Sequence, residues 1–157
     1  DHPLRLVVQK FKYSRKVSLG KPLGRLMALG CQEFLATVNA EVIVPVPLYP
    51  KRLRWRGFNQ SVLLGREIGR AYRLPLDPFV LMRRRETVAQ TQLPEDERRR
   101  NVRGAFALNA ERSVKDKRIL LIDDVYTSGA TVNECSQTLK QGGAKEVYVL
   151  TLARAVY

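Results

Sequence analysis

The feature that most constrains the fold is an apolar run, RILLI at 118–122, that leads directly into the polar segment DDVYTSGAT at 123–131. A short apolar run of this kind predicts a buried strand, which we expect to end before the two aspartates. The residues that follow recur at helical spacing, namely Val132, Cys135 and Leu139. The order of strand, turn and helix is typical of α/β folds, in which the carboxyl end of a strand faces the start of a helix.

The rest of the chain alternates between segments that predict strands and segments that predict helices. The predicted elements are a segment of mixed character at 4–12, a helix at 22–38, a helix that follows Asn59, and strands at 41–46, 78–83, 104–108 and 146–152. This alternation predicts an α/β fold with a mainly parallel central sheet flanked by helices. A chain of 157 residues accommodates one such domain.

Two helix starts carry recognisable signals. The side-chain oxygen of Asn59 is expected to accept a hydrogen bond from the first turn of the helix that follows it. That helix carries a stripe of small residues, which lets it lie close to a sheet: Ser61, Gly65 and Gly69. At the later helix, Thr131 and Glu134 have the spacing of a capping box.

The charge of the chain points toward anionic partners. Lysine and arginine total 28 against 15 acidic residues, which gives a net charge of +13. The basic residues concentrate in three blocks, 2–32, 47–58 and 83–103. Such a chain attracts nucleic acid, an anionic membrane surface or phosphorylated small molecules. The alternative is that solvated lysine and arginine side chains simply cover the surface.

Cysteine and histidine usage excludes several kinds of site. Cys31 and Cys135 are far apart, so the chain holds no zinc framework, and both read as free thiols of a cytoplasmic protein. His2 is the only histidine, which argues against serine–histidine or cysteine–histidine catalysis. No apolar run approaches the roughly 20 residues that span a bilayer, and no secretory signal is visible.

The turn between strand and helix has the composition of an anion site. It contains Thr127, Ser128, Gly129, Ala130 and Thr131, and we call it the hydroxyl-rich turn. Gly129 allows the backbone to approach a ligand, and the hydroxyls add donors without bulk. The free N–H groups at a helix start bind phosphate readily. We therefore expect this turn to hold a phosphate group.

Asp123 and Asp124 lie two residues before the hydroxyl-rich turn, separated from it by Val125 and Tyr126. Two carboxylates beside a phosphate must bind something else, such as ribose hydroxyls or Mg²⁺, since they repel the phosphate itself. Magnesium is usually bound through one or two carboxylates and the phosphates of a substrate. The alternative is that the two acids only stabilise the helix dipole.

The motifs together resemble a known family. The segment LLIDDVYTSGAT at 120–131 resembles the phosphoribosyl pyrophosphate (PRPP) motif of type I phosphoribosyltransferases. Three further segments extend the resemblance to the ComF family of competence-associated proteins: VPVPLYPKRLRWRGFNQS at 44–61, RRRETVAQTQL at 83–93 and RRRNVRGAF at 98–106. The resemblance spans about residues 4–155, and it implies a type I phosphoribosyltransferase fold.

The resemblance implies that different segments contact different parts of PRPP. Asp123 and Asp124 would contact the ribose hydroxyls and the Mg²⁺ shell, and they are the implied catalytic and metal residues. The hydroxyl-rich turn would wrap the 5′-phosphate. The basic loop at 47–58 would lie at the pyrophosphate, where we favour Arg52 and Arg56.

The resemblance also assigns a mobile loop to residues 84–102, which would close over the substrate. Its candidate ligand contacts are Arg84, Arg85 and Gln90. The arginines at 83–85 are alternatively contacts to nucleic acid, because neutralising phosphates gives sequence-independent binding.

Two hypotheses on function stay open. The first is a Mg²⁺-dependent phosphoribosyltransferase with an unknown acceptor. The second is a non-catalytic module of the competence machinery that senses PRPP or binds single-stranded DNA. Tyr49 and Trp55 in the basic loop are candidates for stacking on bases, or for packing on the domain. The acid pair separates the two hypotheses, since a DNA-binding groove gains nothing from exposed carboxylates.

The chain departs from the family pattern in two ways. Tyr126 stands where many relatives outside ComF carry a small aliphatic residue, and the four-cysteine zinc module usual in ComF proteins is missing. We divide the chain into a helical, hood-like segment at 1–40 and a phosphoribosyltransferase core at 41–157. The basic N-terminal block is a candidate dimer surface, and competence proteins are candidate partners.

Overall fold

A sheet of three parallel strands lies at the centre of the computed structural model, which describes residues 17–88 and 93–154. The strands in this part of the chain are β1 (Val42–Pro45), β2 (Leu81–Arg83), β3 (Phe106–Leu108), β4 (Arg118–Tyr126) and β5 (Glu146–Arg154). The helices are α1 (Gly20–Gly30), α2 (Gln32–Thr37), α3 (Pro50–Arg56), α4 (Gln60–Tyr72), α5 (Glu95–Val102) and α6 (Ala130–Gln141). The order of the central sheet is β1-β4-β5, which confirms the predicted α/β fold.

The middle strand, β4, projects beyond one of its neighbours. Its parallel pairing with β1 ends where Pro45 lies opposite Ile122. Its pairing with β5 continues as far as Tyr126, which lies opposite Arg154. The last hydrogen bond of this ladder runs from the Val46 N–H to the Ile122 carbonyl at 2.9 Å. The last four residues of β4 therefore lie past the end of β1.

The predicted strands at 78–83 and 104–108 are present as β2 and β3, but they do not join the central sheet. They pair antiparallel as a separate two-stranded sheet, in which Arg83 lies opposite Phe106. Antiparallel pairing needs no crossover helix, so the chain can leave on β2 and return on β3 over the segment between them. The prediction located both strands correctly and missed the sheet to which they belong.

Each face of the central sheet packs against its own helices. On one face the buried cluster contains residues of β4 and α6, including Ile119, Leu121, Cys135 and Leu139. On the other face Leu120 and Ile122 pack with residues of α1 and α4. The small-residue stripe of α4 is confirmed, since a Cβ atom on Gly65 would lie 3.2 Å from Cγ2 of Ile43. Close approach of α4 brings its first residues to the end of β1.

The helices of three segments differ from the prediction: two predicted loops contain a helix, and one predicted helix is interrupted. The basic loop contains α3, with a proline in its first turn and Gly57 ending it at a φ of 85°. The predicted mobile loop contains α5. The helix predicted at 22–38 is interrupted at Cys31, which separates α1 from α2. Proline suits the first turn of a helix, and positive φ suits glycine after its last turn.

The N-terminal region is described from residue 17 onward, so the segment predicted at 4–12 lies outside the described residues. Leu23 and Met27 of α1 belong to the same buried cluster as Ile43 of β1. The proposed division at residue 40 and the dimer surface stay predictions. None of the helices in the described ranges has the length and apolar character needed to cross a membrane.

Candidate functional site

The two aspartates lie within β4 and not after it. The expectation that the strand ends at Ile122 is wrong, because β5 continues to pair with β4 as far as Tyr126. Successive side chains of a strand point to opposite faces, so Asp123 and Asp124 do not share one direction. Asp124 is buried, with 7% of its surface exposed.

Hydrogen bonds connect Asp123 to the start of α4. The Ser61 hydroxyl donates to Oδ1 of Asp123 at 3.2 Å, and the backbone N–H of Asp124 donates to the same oxygen at 2.9 Å. Ser61 is held in turn by Asn59, whose Oδ1 accepts from the Ser61 N–H at 2.9 Å. The predicted cap at Asn59 is therefore confirmed. Its Nδ2 also donates to the Val46 carbonyl at 3.0 Å, which ties the end of β1 to the same network.

The hydroxyl-rich turn forms the start of α6. Gly129 is the N-cap residue, with a φ of 78° that L side chains rarely adopt. A Cβ atom at Gly129 would also collide with the ring and hydroxyl of Tyr126. Two independent constraints therefore require glycine here, and the first N–H groups of a 12-residue helix lie beside half-buried hydroxyls of Thr127, Ser128 and Thr131.

The capping box predicted at Thr131 and Glu134 is wrong. The helix starts one residue earlier, at Ala130, and Glu134 accepts a hydrogen bond from the backbone N–H of Gly104 at 2.7 Å. This contact ties the turn before β3 to α6. The first N–H groups of α6 do not use the Glu134 side chain.

The α3 helix brings the basic residues of 47–58 to the end of β1. Arg56 is the last residue of α3 and is buried, with 7% of its surface exposed, whereas Arg52 is half-buried. Lys51 is exposed and pairs with Glu86 at 3.5 Å. The helix thus contacts the segment that follows β2 through this ion pair.

The predicted mobile loop is tied to its surroundings on both described flanks. Arg84 and Arg85 are exposed, and one terminal nitrogen of Arg85 donates to the carbonyls of Asn101 and Arg103, each at 2.9 Å. The side chain of Asn101 bonds both the N–H and the carbonyl of Val88. The third residue assigned to this loop, Gln90, lies outside the described residues.

One residue near the site was considered from the sequence only as an alternative contact to nucleic acid. Arg83 is half-buried in β2, and its guanidinium lies 5.2 Å from the centre of the Phe106 ring. Burial lowers the pKa of Arg83, and the positive charge of Arg52 lowers it further. A signal existed, because Leu81 is buried and Arg83 follows it at the period of a strand.

The thiol of Cys135 lies beneath this region. Burial raises its pKa well above the ordinary value, and the negative charge of Asp123 adds to the effect. Cys135 is therefore an inert, protonated member of the α6 core, as the sequence predicted for a free thiol.

The acid pair offers hard oxygen ligands near the hydroxyl-rich turn. Across residues 17–88 and 93–154 no group of three or more histidine, cysteine, aspartate or glutamate side chains is arranged to hold a metal ion. Asp123 and Asp124 fit Mg²⁺ only as part of a set that substrate oxygens and water complete, which is the usual mode for this ion.

Comparisons with known proteins agree with this geometry. A family model described as a phosphoribosyl transferase domain matches residues 59–155. The chain is 35% identical over 157 residues to competence protein F of Haemophilus influenzae, covering 98% of this chain and 69% of that protein. It is also 35% identical over 157 residues to a DNA utilization protein of Escherichia coli, covering 98% and 68% respectively.

A solved structure supports the same conclusion. Glutamine PRPP amidotransferase from B. subtilis, complexed with ADP and GMP, superposes with a TM-score of 0.57 at 26% identity. The match covers 87% of this chain and 26% of the amidotransferase chain, so it concerns one portion of that enzyme. The matched family model spans more than half of the chain, and the competence-related relatives align over nearly all of it. The chain therefore belongs to the ComF family, and it carries a phosphoribosyl transferase domain.

Proposed function

We propose that the chain binds PRPP together with Mg²⁺ and transfers the phosphoribosyl group to an acceptor with release of pyrophosphate. The observation that carries this proposal is the arrangement at the end of β4. A carboxylate hydrogen-bonded to the start of α4 lies four residues before a turn that presents helix N–H groups and hydroxyls. This order matches the chemistry of a sugar phosphate, which offers hydroxyls at one end and an anion at the other.

The proposed contacts follow the chemistry of the groups. The hydroxyl-rich turn binds the 5′-phosphate through backbone N–H groups, which need no counter-charge from lysine. Asp123 and Asp124 accept hydrogen bonds from the ribose hydroxyls. Arg52 and Arg56 neutralise the pyrophosphate, and Arg84 with Arg85 closes the site from the segment after β2.

Mg²⁺ would be held by Asp123 and Asp124 together with oxygens of PRPP, and it would supply positive charge to the departing pyrophosphate. In the transfer step the bond from C1 to the pyrophosphate oxygen breaks, and its electron pair leaves on the pyrophosphate. The acceptor supplies the electron pair of the new bond to C1. The protein provides no nucleophile, so its contribution is to position the two reactants and to stabilise charge.

The direct test compares the wild type with the double variant D123N/D124N. PRPP with Mg²⁺ is expected to raise the melting temperature of the wild type and to leave that of the double variant unchanged. A matched control is D116N, which neutralises an exposed aspartate at a φ of 60°, a backbone geometry that asparagine accepts well. D116N should respond to PRPP as the wild type does. A flat response of the wild type at millimolar PRPP would contradict the proposal.

Transfer is tested separately from binding. The wild type is incubated with PRPP, Mg²⁺ and each of a panel of nucleobases, and released pyrophosphate is measured. Release with one base and not with the others identifies the acceptor class. Binding of PRPP without release from any base would favour the sensing module.

A second candidate function is single-stranded DNA binding, and one observation favours it. Trp55 on α3 has 55% of its surface exposed, and exposed Lys51 and Arg54 lie on the same helix. An exposed aromatic ring among basic side chains suits stacking on bases. The names of the relatives, which refer to competence and DNA utilization, point the same way. In this case D123N/D124N should bind a labelled oligonucleotide as tightly as the wild type.

A further inference from the structure

The side chain of Arg83 is held in one orientation by its neighbours. Its guanidinium lies 5.2 Å from the centre of the Phe106 ring, on the strand paired with β2. One of its terminal nitrogens donates to the hydroxyl of Thr87, a residue with 6% of its surface exposed. Stacking on a ring and bonding to a buried hydroxyl restrict the rotamers of a long side chain, so the cation is pre-organised.

The guanidinium of Arg83 has a buried hydrogen-bond donor without an acceptor among the described residues. The Nε atom of Arg83 is buried and has no hydrogen-bond partner in the described part of the chain. Its guanidinium forms none of the ion pairs within 4.0 Å that link described residues. A buried donor without an acceptor is costly, and more so when it is charged.

The surroundings of Arg83 add a second positive charge. Burial lowers the pKa of Arg83, the positive charge of Arg52 on α3 lowers it further, and the negative charge of Asp123 opposes that effect. The ion pair between Lys51 and Glu86, at 3.5 Å, holds α3 against the segment that follows β2. An anion between the two arginines would relieve both the repulsion and the missing acceptor.

We propose that Arg83 and Arg52 together bind an oxyanion of the pyrophosphate class beside Asp123. Arg83 is then an anion-binding residue of the site, and it is a different residue from those that the family resemblance assigns to pyrophosphate or to the mobile loop. The inference rests on the proposed function for its biological ligand, since the pyrophosphate of PRPP is the anion that would occupy this position.

Burial decides between a small anion and a nucleic acid as the ligand of Arg83. A polymer backbone requires accessible cations, and the neighbouring Arg84 is exposed whereas Nε of Arg83 is not. A small oxyanion can enter between α3 and β2 and accept hydrogen bonds from the planar guanidinium fork. Arg83 therefore binds the pyrophosphate group, which is the leaving group of the small ligand.

The experiment measures binding by calorimetry for the wild type and for R83M, R83K and R112M. R112M is the matched control, because Arg112 also lies near a phenylalanine ring, 5.9 Å from the centre of Phe79. Arg112 pairs with Asp77 at 3.7 Å, near the start of β1 and away from the acid pair. The ligands are PRPP, inorganic pyrophosphate and ribose 5-phosphate, each with Mg²⁺.

R83M should bind PRPP and pyrophosphate roughly 10- to 100-fold more weakly than the wild type, the loss expected for hydrogen bonds to a charged group. Its affinity for ribose 5-phosphate should not change, since that ligand lacks the pyrophosphate. R83K should lie between R83M and the wild type, because lysine restores the charge without the planar fork. R112M should match the wild type with all three ligands.

The outcomes separate this inference from the proposed function. If a folded R83M binds PRPP and pyrophosphate as the wild type does, the inference is overturned and the function stands. If the wild type binds neither PRPP nor ribose 5-phosphate, the function fails, and pyrophosphate alone then decides whether an anion site at Arg83 exists. If R83M does not fold, the pyrophosphate affinity of R83K becomes the test of the inference. An R83K variant that binds pyrophosphate as tightly as the wild type, with the same salt dependence, would overturn it.

Discussion

Under the proposed function, the two ends of the candidate site bind their anions by different means. At one end, the hydroxyl-rich turn offers backbone N–H groups whose directions are set by Gly129 and the first turn of α6. At the other end, the proposed anion contacts are arginine side chains of α3 and β2: Arg52, Arg56 and Arg83. The first end depends on main-chain geometry, and the second depends on the packing of two elements that are distant in sequence.

This difference has a consequence for how each end responds to substitution. A backbone donor is lost only when the turn changes shape, so the hydroxyl-rich turn should be sensitive at Gly129 and tolerant at its hydroxyls. A side-chain donor is lost with its own residue, so the arginine end should weaken stepwise. If substitutions at one end gave the response expected at the other end, this distinction between the two ends would be wrong.

The largest effect is expected from G129A. Alanine must adopt a φ of 78°, which costs about 1–2 kcal/mol, and its Cβ atom must displace the Tyr126 ring. The turn should change shape, and the affinities for PRPP and ribose 5-phosphate should both fall by more than tenfold. Calorimetry measures both affinities, and thermal unfolding measures the loss of stability.

The control for G129A is G104A. Gly104 has a φ of 66°, and no atom lies within 4 Å of the position that its Cβ atom would take. It therefore carries the backbone cost without the collision, and its ligand affinities should stay unchanged. Equal loss of ribose 5-phosphate binding in both variants would mean that backbone strain alone, and not the turn beside Tyr126, explains the result.

A smaller effect is expected from S61A. This variant tests the acid pair, which lies between the two ends. The variant removes the hydroxyl that donates to Asp123 at 3.2 Å. A hydrogen bond to a charged group contributes about 1.5–3 kcal/mol, part of which water restores when the site is open. PRPP affinity should fall about fivefold, while S113A, at an exposed serine, should leave it unchanged. An unchanged affinity in S61A would show that Ser61 does not position Asp123.

Local sequence signals predicted the backbone end of the site well. The strand at 118–122, the cap at Asn59 and the close approach of α4 through Gly65 all depend on residues near one another in the chain, and the structure confirms them. The length of β4 was missed. Pairing with β5 extends the strand through two aspartates, and that partner lies outside any local window.

The arginine end was harder to predict for the same reason. The segment at 50–56 has too few apolar residues to show helical spacing, so the sequence predicts a basic loop where the structure has α3. Arg83 lies in a run of three arginines that look alike in sequence. Strand alternation puts Arg83 on the same side as Leu81, but only the pairing of β2 with β3 brings Phe106 beneath its guanidinium. Contacts between distant elements select which arginine faces the site.

The most direct test of this division is an NMR titration of the ¹⁵N-labelled protein. Ribose 5-phosphate should shift the backbone N–H signals of residues 128–131 and leave the arginine Nε–H signals in place. Pyrophosphate with Mg²⁺ should shift the Nε–H signal of Arg83 and leave the signals of 128–131 in place. If both ligands shift the same signals, or if neither shifts the N–H of Gly129 or the Nε–H of Arg83, the two-ended site is contradicted.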